Sequence, residues 1–311
     1  MKIKKKDKTL SCVVIGLGKI GLTYDLINDN IHTHSKALHK DKNFLLQCGV
    51  DTNKNNLKIF KKTYNKNTFI NLTDLKKSKI KVNTFIISTP TNLHYENIKY
   101  IIKNFKPKVI VCEKPISYKA NEIKNIIKTC KKKKIKFVVN FIRRSDITFN
   151  KIKVKIKREN NKFDGLIYYN KGFNHSCSHY INLMIHWFGK YLGHKTIKIY
   201  SKNKEDAEID VLVKFEKADI FFIHTKIKTK KEFIIKSKNI KLKKKKNDSL
   251  FLNKIKYPNT MRNYQKNFYV ELIKYIRNES KHNMATYDEI LYNCNVINQI
   301  LNKNIYDYKK I

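Results

Sequence analysis

The sequence contains no apolar run long enough to cross a bilayer, and no small-residue cleavage pattern follows its basic N-terminus. It therefore predicts neither a membrane span nor a signal peptide, and we expect a cytoplasmic protein. The six cysteines have no paired spacing, which is typical of reduced thiols inside a cell. Internal repeats and long low-complexity segments are also missing. With 311 residues, 41% of them hydrophobic, the chain can bury the cores of two globular domains.

Acidic residues are few: 25 Asp and Glu against 68 Lys and Arg give a formal net charge of +43. One interpretation is a nucleic-acid or other anionic partner. The other is compositional drift, because several abundant residue types, such as Lys, Asn and Ile, have codons rich in A and T. The lysines are spread through every segment, and arginine, the favoured reader of bases, is scarce. We therefore favour drift and do not expect nucleic acid as a partner.

The first half of the chain alternates strand-like with helix-like segments. Apolar runs typical of buried strands lie at residues 11–15, 44–50, 84–88, 109–112 and 137–140. Helical patterns lie between them, near residues 35–39, 53–64, 95–104 and 121–132. Such alternation predicts βαβ units and a doubly wound parallel sheet, which we assign to an α/β domain over residues 1–145.

The pattern changes after about residue 145. Strand-like runs follow each other with short connections at residues 166–170, 196–200, 209–215, 220–225 and 232–237. Helices are predicted at 179–188, 264–277 and 287–301, and a lysine run at 241–247 is predicted to be a solvated turn. Several strands alternate apolar with polar residues, which indicates a mostly antiparallel open-faced sheet. Residues 146–311 therefore form the second, C-terminal α/β domain.

A glycine loop follows the first strand. Gly16, Gly18 and Gly21, with Lys19 and Ile20 between the last two, form a G-x-G-x-x-G pattern between a strand and a predicted helix. Glycines there permit a tight turn and the close approach of a pyrophosphate, which the helix N-terminus attracts. The pattern in this context predicts a Rossmann dinucleotide-binding site.

Asp51 ends the second predicted strand. It lies further from Gly16 than the usual ~20 residues, because an insertion at residues 24–33 adds length. The alternative to ribose binding is a helix cap, since a helix begins at Asn53. We favour ribose binding, which makes NAD the expected cofactor while NADP is not excluded.

The third strand is followed by Ser88, Thr89, Pro90 and Thr91, and then by His94. Small hydroxyl residues and a proline suit a loop beside a ribose, so these five residues are predicted to bind cofactor. The segment also fits an ordinary turn in which Thr91 or Asn92 caps the next helix, and this role is compatible with cofactor binding.

Glu113, Lys114 and Pro115 follow the fourth strand of the predicted sheet. Ligands of doubly wound sheets bind beyond the carboxyl ends of the strands, so this tripeptide is expected at the same edge as the glycine loop. A lysine beside a dinucleotide is a candidate for proton transfer, and Glu113 is predicted to be a cofactor residue.

The start of the 179–188 helix is rich in polar residues. Asn174, His175, His179 and Asn182 lie there, and the two histidines share a helix face because they are four residues apart. Zinc was considered, but the segment lacks the glutamate of an H-E-x-x-H motif and a third ligand at a convincing spacing, so no metal is predicted. His179 is either catalytic or a satisfied core histidine, and the residues alone leave both open.

Three cations are candidate substrate anchors. Arg143, Arg144 and Lys171 could anchor a phosphorylated or carboxylated substrate, because a guanidinium binds such groups bidentately. The alternative is ordinary surface charge.

Together these motifs resemble the Gfo/Idh/MocA oxidoreductase family of sugar and inositol dehydrogenases. The resemblance rests on Gly16–Gly21, Ser88–His94, Glu113–Pro115, the Phe141–Asp146 segment and the His179-x-x-Asn182 helix that ends in Trp187-Phe188-Gly189. It also covers His34-Ser35-Lys36-Ala37, which is similar to a family His-x-x-Ala. It implies that Lys114 and His179 are the catalytic pair and that the C-terminal sheet mediates a homo-oligomer.

Two positions depart from the family pattern. His175 stands where an aspartate is frequent, and Asn182 stands where another is usual. Family members acting on nucleotide-linked sugars vary at the first position. We therefore expect an NAD-dependent oxidoreductase acting on a secondary alcohol or ketone of a sugar or nucleotide-sugar, as in surface-polysaccharide synthesis. A dinucleotide-binding sensor or regulator without catalysis is the alternative.

Overall fold

A computed structural model describes residues 9–201, 206–227, 233–245 and 249–306. In chain order the strands are β1 Leu10–Ile15, β2 Phe44–Val50, β3 Asn67–Phe69, β4 Thr84–Ile87, β5 Val109–Cys112, β6 Lys136–Val139, β7 Phe163–Tyr169, β8 Tyr191–Ser201, β9 Glu208–Phe215, β10 Ala218–His224, β11 Phe233–Lys236, β12 Lys241–Lys244, β13 Leu250–Leu252 and β14 Ile255–Tyr257. The α-helices are α1 His34–Lys40, α2 Lys54–Tyr64, α3 Leu72–Lys77, α4 His94–Asn104, α5 Ala120–Lys132, α6 Ile147–Arg158, α7 Phe173–Phe188, α8 Tyr264–Ile276 and α9 Tyr287–Tyr306.

The chain divides into two compact units. Unit 1 is Met1–Asn140 with Arg262–Tyr287, and unit 2 is Phe141–Met261 with Asp288–Ile311. The sequence suggested two continuous segments meeting near residue 145, whereas α8 returns to the first unit. The reason is burial: Tyr269 and Leu272 of α8 lie fully buried in the same apolar cluster as Leu38 of α1.

Unit 1 contains one six-stranded sheet of order β3-β2-β1-β4-β5-β6. Every neighbouring pair is parallel. The order reverses between β1 and β4, which is the switch point of a doubly wound sheet. β4 and β5 are buried along their whole length, as expected where helices cover both faces.

Unit 2 contains an eight-stranded sheet of order β14-β13-β12-β11-β7-β10-β9-β8. Its pairs are antiparallel except β7 with β10. The inner face packs into a core with residues of α6, α7 and α9, in which Trp187 stacks on Phe149 at 5.7 Å. A parallel Rossmann sheet joined to a second, mostly antiparallel sheet confirms the predicted fold class.

Two segments differ from the sequence-based expectation. The lysine run at 241–247 is not simply a solvated turn, because Lys241–Lys244 is strand β12 and Lys244 is only 2% exposed. Residues 246–247 lie outside the described residues, as does residue 232 of the predicted 232–237 strand. Helix α6 was not predicted. In the described part of the chain, no helix is both long and apolar enough to span a membrane.

Candidate functional site

The glycine loop between β1 and the following turn has two positions that admit only glycine. Gly16 has φ +88°, and a Cβ there would lie 2.6 Å from the backbone nitrogen of Thr89. A Cβ on Gly21 would lie 2.0 Å from the carbonyl oxygen of Gly16. Gly18 differs, because a Cβ there would meet nothing within 4 Å. The loop is therefore tightly folded on itself and open at Gly18, which leaves room for a ligand.

The helix that follows the glycine loop is interrupted by an insertion. The amide of Leu22 donates to the carbonyl of Gly18 at 2.8 Å, which completes one helical turn. The amide of His34 then donates to the carbonyl of Ile20 at 3.0 Å, and that of Ser35 to Gly21 at 3.1 Å. Helix α1 thus continues the turn, and the intervening residues loop out. Within the turn, the Lys19 side chain is exposed.

A buried carboxylate organises this insertion. Asp25 is 1% exposed and accepts hydrogen bonds from the amides of His32 at 2.6 Å and Thr33 at 2.9 Å. The Thr33 hydroxyl donates to the other oxygen of Asp25 at 2.8 Å. The tip is open, with Ile27 98% exposed. The insertion is therefore an ordered loop that presents apolar side chains at its tip.

Asp51 connects the end of β2 to the glycine loop. Its Oδ2 accepts from the amide of Leu17 at 2.6 Å, and its Oδ1 accepts from the amide of Asn53 at 2.7 Å. The side chain of Asn53 caps helix α2, so the alternative that Asp51 is the helix cap is wrong. The carboxylate remains partly exposed at the carboxyl edge of the sheet.

A cavity of about 850 Å³ opens beside these residues in unit 1. Gly16, Asp51, Thr89 and Pro90 are among its lining residues, with Ile70 as an apolar wall. Gly16, Asp51 and Thr89 follow β1, β2 and β4 at the carboxyl edge of the sheet, and the cavity continues along helices α4 and α5. An apolar wall and a few polar groups in a cavity of this size suit the adenosine part of a dinucleotide.

The loop after β4 is tied to the glycine loop. The Ser88 hydroxyl donates to the carbonyl of Gly16 at 2.7 Å. Helix α4 has Leu93 as its N-cap without a side-chain bond, so the alternative that Thr91 caps it is wrong. Ser88 and Thr89 therefore border the glycine loop.

His94 joins two loops of this site. It is 1% exposed, with Nε2 2.8 Å from the carbonyl oxygen of Thr89 and Nδ1 3.0 Å from that of Pro115. Burial lowers the pKa of His94, although the nearby carbonyls and Glu113 act in the opposite direction. The imidazole thus holds the Thr89 loop against the loop that carries Lys114.

The tripeptide after β5 contains an ionised carboxylate, Glu113, whose side chain is 13% exposed. Glu113 Oε1 accepts from His34 Nε2 at 3.1 Å and from Asn140 Nδ2 at 2.5 Å. Burial alone raises the pKa of Glu113, but these hydrogen bonds and the charges of His34 and Lys114 outweigh it, and the pKa is lowered. The Lys114–Pro115 peptide is cis. Glu113, predicted to bind cofactor, thus directs its carboxylate to His34 and Asn140.

Sequence reasoning missed part of this network. His34 Nδ1 lies 2.8 Å from the Tyr269 hydroxyl and 2.6 Å from Gln265 Nε2, and Gln265 Oε1 accepts from Asn140 at 3.1 Å. Two sequence features could have indicated members of this network. His34 belongs to the family-like His-x-x-Ala motif, and Asn140 is a polar residue at the end of a predicted strand. Tyr269 and Gln265 lie on α8, far along the chain, and no local pattern indicates them.

In unit 2, a carboxylate from another segment fixes the start of α7. Asp206 accepts from the amide of Asn174 at 2.6 Å and from that of His175 at 3.1 Å. A Cβ on Gly172, the N-cap, would lie 2.0 Å from the Asp206 carboxyl carbon. A negative charge at this end is stabilising because the free amides of a helix start carry partial positive charge.

The polar face of α7 is buried. The His179 ring lies edge-on to Phe141, with ring centroids 6.4 Å apart. Asn182, 1% exposed, has an Oδ1 without a hydrogen-bond partner among the described residues, and the same holds for the Ser178 hydroxyl. Buried groups normally find partners, so these atoms are available to a water molecule or a ligand.

The three predicted anchors have different surroundings. The Arg143 guanidinium lies 4.2 Å from the centre of the Tyr180 ring and donates to its hydroxyl at 3.2 Å. Arg144 is buried and donates to both carboxylate oxygens of Glu289 at 2.7 and 2.8 Å. Lys171 is exposed. Simple surface charge therefore describes Lys171 but not Arg144.

A metal centre was not predicted from the sequence. Within the ranges that the structure describes, no group of three or more His, Cys, Asp or Glu side chains could hold a metal ion.

Comparison with known families identifies the first part of the chain. Residues 10–141 match Gfo/Idh/MocA, an oxidoreductase family with an NAD-binding Rossmann fold. This segment belongs to the Gfo/Idh/MocA family. The match confirms the resemblance inferred from the motifs and the prediction of an NAD-binding fold. No curated protein matches the sequence.

Solved structures of dehydrogenases share the fold of almost the whole chain. The MviM dehydrogenase of Clostridium difficile is 15% identical, with 95% of this chain and 100% of that chain covered at a TM-score of 0.75. The WlbA dehydrogenase of Bordetella pertussis was solved with NADH and UDP-GlcNAcA. It is 14% identical, with 93% of this chain and 94% of that chain covered at a TM-score of 0.72. The WlbA dehydrogenase of Chromobacterium violaceum, solved with the same ligands, is 17% identical. The match covers 95% of this chain and 93% of that chain, also at a TM-score of 0.72. At such identities the likeness establishes the fold alone.

Proposed function

We propose that the protein is an NAD-dependent oxidoreductase that transfers hydride between nicotinamide and a secondary alcohol or ketone of a sugar. The observation that carries this proposal is the cavity of unit 1, where Gly16, Asp51 and Thr89 meet in a segment of the Gfo/Idh/MocA family. Open space at Gly18 and the partly exposed Asp51 carboxylate both fit a bound dinucleotide. Bound NAD supplies the hydride acceptor.

Lys114 and His179 are the proposed catalytic pair. In the oxidation direction His179 removes the hydroxyl proton of the sugar, and Lys114 holds the reacting oxygen through its ammonium. His179 lies on a buried helix face, and an imidazole is the most frequent general base of enzymes. The support for Lys114 is its place after β5, at the carboxyl edge of the parallel sheet.

The proposed substrate is a nucleotide-linked sugar of the kind used to build surface polysaccharides in the cytoplasm. The two WlbA dehydrogenases, which share the fold, were solved with UDP-GlcNAcA. In addition, His175 and Asn182 stand where carboxylates are common in the family. Arg143 is the preferred phosphate anchor, because Arg144 is already paired with Glu289. Asn174 and Lys171 complete the set of proposed substrate residues.

A homo-oligomer is the proposed assembly. The outer face of the unit 2 sheet carries an apolar row in register: Leu166 of β7 is opposite Ile234 on one side and Phe221 on the other, and Phe221 is opposite Leu212. These side chains are only half-buried. Covering such a face with a second copy would remove apolar surface from water.

Binding and turnover test this function separately. We expect NADH to bind, measured by nicotinamide fluorescence, and NAD to be reduced in the presence of a nucleotide-sugar such as UDP-GlcNAcA but not of myo-inositol. His179→Ala and Lys114→Ala should each lower kcat by about 10²–10⁴-fold with NADH binding unchanged. His39→Ala and Lys40→Ala, both on exposed positions of α1, are the matched controls. Normal kcat in His179→Ala would contradict the assignment.

The second candidate is a sensor that binds a dinucleotide without catalysis. His175 and Asn182 favour it, since neither can supply a carboxylate to orient His179. NADH binding without turnover of either class of sugar would support the sensor.

A further inference from the structure

Asn140, the residue that follows β6, carries a buried oxygen at the carboxyl edge of the unit 1 sheet. The residue is 1% exposed, and its backbone amide donates to the carbonyl of Cys112 at 3.0 Å. It therefore lies beside the start of the Glu113–Pro115 loop. Among the residues that the structure describes, its Oδ1 has no hydrogen-bond partner. Buried amide oxygens normally accept a hydrogen bond, so we expect a ligand or a water molecule to donate to this one.

The orientation of the Asn140 amide follows from its neighbour Glu113. The Asn140 nitrogen lies 2.5 Å from Glu113 Oε1 and 3.1 Å from Gln265 Oε1. Burial raises the pKa of Glu113, but hydrogen bonds and nearby charges outweigh this effect and lower it, so the carboxylate is ionised at neutral pH. A carboxylate only accepts hydrogen bonds, so the amide turns its NH2 group to Glu113 and its oxygen away. This holds whichever nitrogen of His34 is protonated.

Asn140 belongs to the half of the sheet in which a nicotinamide would lie. The strand order reverses between β1 and β4, and each half of such a sheet binds one nucleotide of a dinucleotide. Gly16 and Asp51 belong to the β1–β3 half and line the cavity that suits the adenosine. β6 belongs to the β4–β6 half, together with the Glu113–Pro115 loop after β5. The unpartnered oxygen is thus on the nicotinamide side.

The unpartnered oxygen matches the carboxamide of nicotinamide in its chemistry. A carboxamide offers an uncharged NH2 group, and an uncharged donor suits a neutral amide oxygen at a buried position. A buried acceptor without a partner destabilises the protein, so a ligand that donates to it gains more affinity than it would at an exposed group. Holding the carboxamide also restricts rotation of the nicotinamide ring, which fixes the face that a substrate meets.

We propose that Asn140 is a cofactor-binding residue whose Oδ1 accepts a hydrogen bond from the carboxamide NH2 group of nicotinamide. Glu113 and Gln265 are its positioning residues, because they hold the Asn140 nitrogen. The assignment rests on the proposed function, since that function takes NAD as the cofactor. It concerns binding alone and requires no turnover, so an experiment on binding decides it.

The experiment changes both the donor on the ligand and the acceptor on the protein. Isothermal titration of the full-length protein measures the Kd of NAD, of 3-acetylpyridine adenine dinucleotide and of ADP-ribose. The acetylpyridine analogue carries a methyl group in place of the NH2 group, and ADP-ribose has no nicotinamide ring. Asn140→Leu removes the oxygen with little change in volume, and Asn140→Ala replaces it if the leucine variant fails to fold. Asn121→Leu, on an exposed position of α5, is the matched control.

We expect the unmodified protein and Asn121→Leu to bind NAD about tenfold more tightly than the acetylpyridine analogue, which lacks the donor. Asn140→Leu should weaken NAD binding by about tenfold and bind the two dinucleotides within about twofold of each other. ADP-ribose should bind equally to all variants, because it makes no contact with Asn140. A preference for NAD that persists in Asn140→Leu would overturn the proposal.

Two further results would overturn the assignment of Asn140. If the unmodified protein binds NAD and the acetylpyridine analogue equally, Oδ1 accepts from a water molecule instead. If Asn140→Leu loses as much affinity for ADP-ribose as for NAD, Asn140 has only a structural role. The proposed function is judged separately: where NAD is preferred but no sugar is turned over, the oxidoreductase activity fails and Asn140 keeps its role. Absence of NAD binding would refute both.

Discussion

Gly16 and Gly18 lie two residues apart and have opposite steric surroundings. A side chain on Gly16 meets backbone atoms of the Thr89 loop at positive φ, and one on Gly18 meets open space. Gly16→Ala should therefore lower the free energy of unfolding by about 1–3 kcal/mol, as measured by urea denaturation. Gly18→Leu should leave that free energy unchanged and weaken NADH binding by more than about tenfold. Normal NADH affinity in Gly18→Leu would place the cofactor elsewhere.

Asp51 determines the expected choice of cofactor. Its partly exposed carboxylate suits ribose hydroxyls and repels a 2′-phosphate, so NADH should bind more tightly than NADPH. Asp51→Asn keeps an oxygen acceptor for the Leu17 amide and removes the charge, and it should raise the affinity for NADPH by about tenfold. Fluorescence titration measures the affinities for NADH and NADPH, and Asp29→Asn in the exposed insertion is the control. Tighter NADPH binding by the unmodified protein would refute this assignment.

At the scale of elements, the insertion before α1 can be tested without disturbing the glycine loop. Asp25 and Thr33 hold its base, while Leu26 and Ile27 are exposed. Replacing residues 26–29 by two glycines should leave NADH binding within twofold and raise the substrate KM or abolish turnover. Steady-state kinetics with UDP-GlcNAcA gives the KM. A parallel loss of NADH affinity would make the insertion part of the dinucleotide site.

Helix α7 depends on a carboxylate outside it. Removing Asp206 leaves the first amides of α7 without their acceptor, so Asp206→Ala should cost about 1–2 kcal/mol of unfolding free energy. Asp206→Asn should lose less, because it retains an oxygen. Asp219→Ala, on β10 of the same unit, is the comparison. Equal stability of Asp206→Ala and the unmodified protein would show that the contact is not stabilising.

Helix α6 is an element whose type the sequence pattern did not predict. Its Ile-Lys-Val-Lys-Ile-Lys stretch alternates like an exposed strand, which hid the helical spacing of Phe149, Ile152 and Ile156. The sequence does contain one sign of this helix: Asp146 is its N-cap and accepts hydrogen bonds from the amides of Thr148 and Phe149. The helix forms because those three side chains are buried in the core of unit 2.

At the scale of the whole molecule, the apolar row on the unit 2 sheet should govern assembly. Phe221→Lys places a charge in the centre of that row, so a homo-oligomer should dissociate to monomers. Light scattering after size exclusion measures the mass. Val154→Lys, on an exposed position of α6 in the same unit, should not change it. An unmodified protein that is monomeric at high concentration would refute the proposed assembly.

The sequence by itself determined the alternation of strands and helices, the glycine loop, Asp51 and the Glu113–Pro115 loop. These features depend on neighbours along the chain: a buried strand needs an apolar run, and a tight turn needs glycine where φ is positive. The Gfo/Idh/MocA assignment and the two-sheet fold followed from them.

Only the tertiary structure decided which distant segments complete the units. Helix α8 returns to unit 1, Tyr269 contacts the buried His34 ring, and Asp206 holds the start of α7. Local patterns do not encode such pairings, because the gain comes from burying apolar surface and satisfying buried polar groups contributed by segments far apart in sequence. This gain in free energy arises only when the distant segments meet in the folded chain, so the structure shows it and the sequence pattern does not.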